Sequence, residues 1–249
     1  MEDSGYLASV FAGFICFIAG ARLVRLSWRS QRSPELLLGS SLLLWGFAYV
    51  CWQIPIATAN QPLTQPLLFA ARVFTDAATI VFATFTWIAF RSQARWAKAL
   101  VFAIAISVFT GIAGSIAVGD WEGVHPISKP WWWVDWAAGF VAMSWVGVEG
   151  FIHYLNARPR VRLGLCDPLV CNRYLLWGIT GISWTAVWGI LALEYVEFEA
   201  QQVWSIEMER VAGALDITGI ALVLIICFPP RFYQRWIAGA SPAPEPEEA

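Results

Sequence analysis

The sequence predicts an all-α protein: a seven-transmembrane-helix bundle with its amino terminus outside and its carboxyl terminus inside. Three observations predict it. The 249 residues are 58% hydrophobic and 14% charged, whereas ordinary soluble domains carry about 25% charged residues. Mean hydropathy is +0.58. Seven apolar stretches are long enough to cross a bilayer core, which takes about 20 residues per helix. The basic residues fall almost entirely on one side of the resulting topology.

The expected helices are 6–26, 36–57, 67–90, 97–118, 132–155, 174–196 and 211–228, within a single domain over 1–240. Breakers mark the joints: Pro34, Pro62 with Pro66, Pro126 with Pro130, Pro159 with Pro168, then Pro229 and Pro230. The first span has no positive region before it and is expected to insert as its own uncleaved signal. Arg22, Arg25, Arg29 and Arg32 follow helix 1. Arg91, Arg95 and Lys98 follow helix 3, Arg158, Arg160, Arg162 and Arg173 follow helix 5, and Arg231 and Arg235 follow helix 7. Cytoplasmic loops carry such an excess of Lys and Arg, so this side is inside. The other side carries Lys129 and Arg210 and an acidic rim of Asp120, Glu122, Glu194, Glu197, Glu199, Glu207 and Glu209. Trp131, Trp132 and Trp133 are placed as an aromatic belt anchoring helix 5 at the outer interface. The Pro- and Glu-rich tail over 241–249 is expected to be disordered.

The chain is organised around 67–96. This stretch is apolar, yet it holds Arg72 and Asp76 one helical turn apart. Arg91, Arg95 and Trp96 follow Asp76 at the same offsets at which Arg231, Arg235 and Trp236 follow Asp216. At an offset one residue shorter, Gly39 falls on Gly178 and Trp45 on Trp184. Helices 1 and 5 share Ala-Gly-Phe at Ala12 and Ala138. These matches point to a 3+1+3 parallel repeat, with helix 4 as the inversion linker. A parallel repeat places a site near the repeat interface. Helices 3 and 7 should then face each other across the bundle axis, with Asp76 and Asp216 at equal depth.

A charge at a helix centre costs about 2.5–3.5 kcal/mol on insertion scales, so it faces the bundle interior and has a partner. Six residues form a candidate outward-facing polar pocket: Arg72, Asp76, Asp135, Trp184, Glu194 and Asp216. On helix 5, Asp135, Gly139, Ala142, Val146 and Glu149 share one stripe, with an acid near each membrane face. Arg72 would capture an anion, or Asp76 and Asp216 would bind a cation or relay a proton. The competing reading makes Arg72 a structural lock paired with Asp76 or Asp216, as buried ion pairs often are.

Several chemistries are argued down by the same inventory. The only lysines, Lys98 and Lys129, lie outside helix 7, where a retinal Schiff base would sit. The only histidines are His125 in an outer loop and His153 near the inner face. They cannot form a bis-histidine haem site or a His-rich zinc centre. Of the five cysteines, Cys166 and Cys171 fall in a basic loop and should stay reduced. No dinucleotide or P-loop motif occurs, and no basic arm suits nucleic acid. No cofactor, metal or enzymatic activity is expected.

Three stretches carry a resemblance: GARLVRLSWRSQRSPELLLG over 20–39, FTWIAFRSQARWAKAL over 85–100, and CFPPRFYQRWI over 227–237. They resemble an uncharacterised family of bacterial seven-helix membrane proteins. That family has a basic first loop ending in PELLLG, an FTW…FR…WA exit and an FPP…Y…RW exit. The resemblance implies topology and a multi-pass place in the bacterial inner membrane, with no activity attached. The functional expectation is a receptor-like or sensory module that takes a small ligand or ion from outside. It would contact a cytoplasmic or membrane protein partner inside. The alternatives are a small-solute or proton-coupled transporter, and a purely structural or complex-assembly protein.

Overall fold

The computed structural model describes residues 3–58, 61–118, 130–201 and 206–239. The tail over 241–249 and the loop residues Asp120, Glu122, His125 and Lys129 lie outside the described residues. Among the described residues there are eight helices and no strand. They are α1 (Asp3–Ser30), α2 (Ser33–Thr58), α3 (Gln61–Arg91), α4 (Arg95–Ala117), α5 (Pro130–Arg162), α6 (Pro168–Gln201), α7 (Ile206–Cys227) and α8 (Arg231–Gly239).

Six of these, α1, α2, α3, α4, α6 and α7, are long and apolar enough to cross a membrane, which suggests a multi-pass integral membrane protein. α5 is not among them, although it has 33 residues. Asp135 and Glu149 interrupt its apolar run, and glycines and tryptophans dilute it.

Most helices outrun the expected bounds, because several joint prolines do not break them. Pro34 sits in the first turn of α2, and α5 and α6 begin on Pro130 and Pro168. A missing N–H costs nothing there, since the first helical N–H groups have no internal partner anyway. Pro66 and Pro159 lie inside α3 and α5. The basic exit of α7 has a structure of its own. After Pro229 and Pro230 it forms the short helix α8, whose first turn closes with Gln234 N–H donating to the Pro230 carbonyl at 3.0 Å.

The helices close into a ring: α1 packs on α2, α2 on α3, α3 on α5, α5 on α6, α6 on α7, and α7 on α1. α4 lies outside this ring, against α3 and α5, and α8 touches α6. The carboxyl-terminal ends of α1, α3, α5 and α7 gather at one end, here called the basic end. Arg91 bonds Glu149, His153 packs on Tyr174, Asn172 bonds Tyr233, and Arg22 lies 4.0 Å from the Phe228 ring. Small residues allow the closest approaches, as in other membrane bundles. A Cβ at Gly20 of α1 would come within 2.8 Å of the Gly39 carbonyl of α2. Between α5 and α6, a Cβ at Gly181 would lie 2.3 Å from the Gly147 Cα.

The middle of the ring is filled, not hollow. Phe82 of α3 is fully buried and packs on Trp45, Trp177 and Trp184. Trp45 and Trp184 also touch, with ring centroids 5.5 Å apart. A second core joins α4 to the ring through Val101, Ile104 and Val108 against Ala83, Ala138 and Ala142.

Candidate functional site

Among the described residues, three polar clusters interrupt the apolar interior. The first lies where α3, α4 and α5 meet. Arg72 donates through Nε and Nη2 to one oxygen of Asp135, at 3.1 and 2.9 Å. Its Nη1 donates to Ser115 Oγ of α4 at 3.0 Å. Gly111 of α4 permits this approach, because a Cβ there would lie 2.7 Å from the Asp135 Cβ. Asp76, expected as the helical-turn partner, sits 3.9 Å from the Arg72 Nε. The reason is geometric: the guanidinium reaches across to α5, where one carboxylate oxygen takes two of its donors.

Asp76 and Asp135 approach each other within hydrogen-bonding range. Asp76 is only 7% exposed. Asp76 Oδ2 and Asp135 Oδ1 are buried and accept no hydrogen bond. One guanidinium therefore faces two carboxyl groups, and two buried oxygens lack a donor.

The second cluster is at Asp216 on α7. The Tyr49 hydroxyl of α2 donates to its carboxylate, and so does the Trp184 indole of α6. Cys16 of α1 is close by. Both donors are neutral. Of the two partners weighed for Arg72, Asp76 lies near it, and among the described residues no hydrogen bond or ion pair joins Arg72 to Asp216. In the ring order α3 and α7 stand opposite each other.

The third cluster lies toward the basic end. Arg91 Nε donates to both oxygens of Glu149, each at 2.9 Å. Glu149 is 2% exposed, and the Trp145 indole donates to it at 3.2 Å. His153 Nδ1 lies 2.9 Å from the Glu149 main-chain oxygen and 3.6 Å from its carboxylate. Phe90 and Tyr174 pack on the imidazole. Here one cation meets one anion.

Of the six candidate residues, Arg72, Asp76 and Asp135 come together, and Trp184 joins Asp216. Glu194 is buried on α6, about three turns beyond Trp184. Sequence reasoning left out Tyr49, Ser115 and the Arg91–Glu149 pair. The α5 stripe did place Glu149 on the Asp135 face, and that was the available signal. Nothing in the sequence marked Tyr49. Among the described residues no three His, Cys, Asp or Glu side chains converge to hold a metal ion.

A cavity of about 550 Å³ opens sideways on α4, lined by Ile106, Phe109, Ala113, Gly114 and Trp131 among others. It is apolar, and none of the six candidate residues lines it. No protein-family model matches the chain, and no curated protein or solved structure matches it.

Proposed function

We propose that the chain is a seven-helix membrane carrier that couples proton binding at Asp76 and Asp135 to movement of a small solute. One observation carries this reading. Two buried carboxyl groups share a single guanidinium, and an oxygen of each has no donor. Burying an uncompensated charge costs several kcal/mol, as an order of magnitude. A proton held between the two carboxyls satisfies both the surplus charge and the missing donor. Ionisable residues in such positions mark proton relays in membrane pumps and transporters.

Further features support the seven-helix and repeat readings. α5 is long enough to span, and both of its acids have an arginine partner on α3. The ring order maps onto itself when α1, α2 and α3 are exchanged with α5, α6 and α7. Trp45 and Trp184, matched by sequence, meet each other at the centre, as equivalent residues do beside a two-fold axis. Along α3, the buried Phe82 and its tryptophan partners lie between the levels of Asp76 and Arg91. The basic end faces the cytoplasm by its arginine excess.

Reconstituted protein on a solid-supported membrane tests the proposal. Panels of amino acids, sugars and small organic cations are applied across a pH gradient. At least one class should evoke a current that Asp76→Asn abolishes. Infrared spectra should show a protonated carboxyl band that the same substitution removes. No current from any class, with no such band, overturns the reading.

A further inference from the structure

We propose that α8 is a surface anchor that binds the anionic phospholipid headgroups of the membrane face at the basic end. The helix has nine residues, about 13 Å of length. That is far short of a hydrocarbon core of about 30 Å. It must therefore lie outside the core, at the interface.

Its three faces divide the work. Tyr233 and Ile237, one turn apart, are half-buried and face the bundle. Asn172 of α6 donates to the Tyr233 hydroxyl and fixes the helix there. Burial pushes the Tyr233 phenol above its ordinary range, so it stays neutral in that bond. Phe232 and Trp236, also one turn apart, are 74% and 68% exposed. Arg231 and Arg235 form the third pair and are exposed.

An exposed Phe and Trp beside exposed arginines is the composition of helices that lie in the headgroup layer. The rings enter the boundary of the acyl chains, and the arginine stems let each guanidinium reach phosphate. The position suits this occupant. α8 follows α7 directly through Pro229 and Pro230, so it starts where a membrane helix leaves the core. Its two arginines give charge complementarity to an anionic leaflet, and a zwitterionic surface offers much less.

Hydrogen exchange of residues 231–239, read by mass spectrometry on the full chain in nanodiscs, tests this. Exchange should slow about thirtyfold when phosphatidylglycerol is mixed into phosphatidylcholine, the size of effect two basic residues have at an anionic surface. Raised salt and the R231Q/R235Q variant should each erase most of the difference. F232S/W236S should lose protection in both lipids. Equal exchange in the two lipids overturns the proposal, as does a difference that survives in R231Q/R235Q. Full protection retained by F232S/W236S would mean that protein, such as a second copy of the chain, covers the apolar face, and overturns it equally.

Discussion

The ring closes across two seams that join α1–α3 to α5–α7, and the two are built differently. At the α3–α5 seam, Arg72 meets Asp135 and Arg91 meets Glu149, one pair toward each end. Among the described residues no ion pair crosses the α7–α1 seam. There Cys16 and Ala19 of α1 and Ile220 and Val223 of α7 contribute to the central apolar core. Its acid, Asp216, is held by the neutral donors Tyr49 and Trp184. Ion pairs fix register, because a small slide strands a buried charge. Apolar packing between membrane helices has no such directional demand, since lipid tails are as apolar as the side chains. The first seam is tied by ion pairs, and the second by apolar packing.

The comparison breaks most visibly at Arg72. Arg72→Ala leaves two buried carboxyls without their cation, and the expected loss is about 3–5 kcal/mol. Unfolding of the detergent-solubilised protein measures it, with the exposed Arg95→Ala as control at no more than about 0.5 kcal/mol. Equal stability of the two variants would show that charge does not hold the seam. Adding Asp76→Asn and Asp135→Asn to Arg72→Ala should recover much of the loss.

Arg91→Ala strands Glu149, which is almost wholly buried. Arg91 itself is 34% exposed, so solvent screens the pair. The expected loss is about 3 kcal/mol, the low end for a broken buried pair. Glu149→Gln in the same background should restore stability. A double variant as unstable as Arg91→Ala alone would assign the loss to packing instead.

Ile220→Ala probes the apolar seam. The expected cost is about 2 kcal/mol, a cavity cost at the low end for a large-to-small change. The result should not depend on ionic strength, unlike that at Arg91, and a salt-dependent loss would contradict the apolar description. Tyr49→Phe should cost least, about 1 kcal/mol, since Asp216 keeps the Trp184 donor. A loss as large as that of Arg72→Ala would make Tyr49 a principal support of the carboxylate.

Apolar run length settled much of this protein from sequence alone. A stretch of about 20 apolar residues has to satisfy its own backbone in lipid, so it is helical whatever surrounds it. The helices around 6–26, 36–57, 67–90, 97–118, 174–196 and 211–228 were legible for that reason, and α5 was legible as a helix. Their ends were less so, because a proline stops a helix only when the lost N–H bond matters, and at Pro34 and Pro168 it does not. α8 escaped notice because nine residues are too few to show a period reliably. Partner choice belonged to the tertiary structure. Arg72 and Asp76 are neighbours in sequence, yet the nearer carboxylate in space sits on α5. That choice depends on the closeness of α3, α4 and α5, which Gly111 of α4 and Ala138 and Ala142 of α5 permit. Composition and spacing alone put several ionisable groups among apolar helices. Only the packing decided which of them share a guanidinium, because an arginine side chain reaches farther than the gap between neighbouring helices and its bonds go to whichever acceptor the helix register presents.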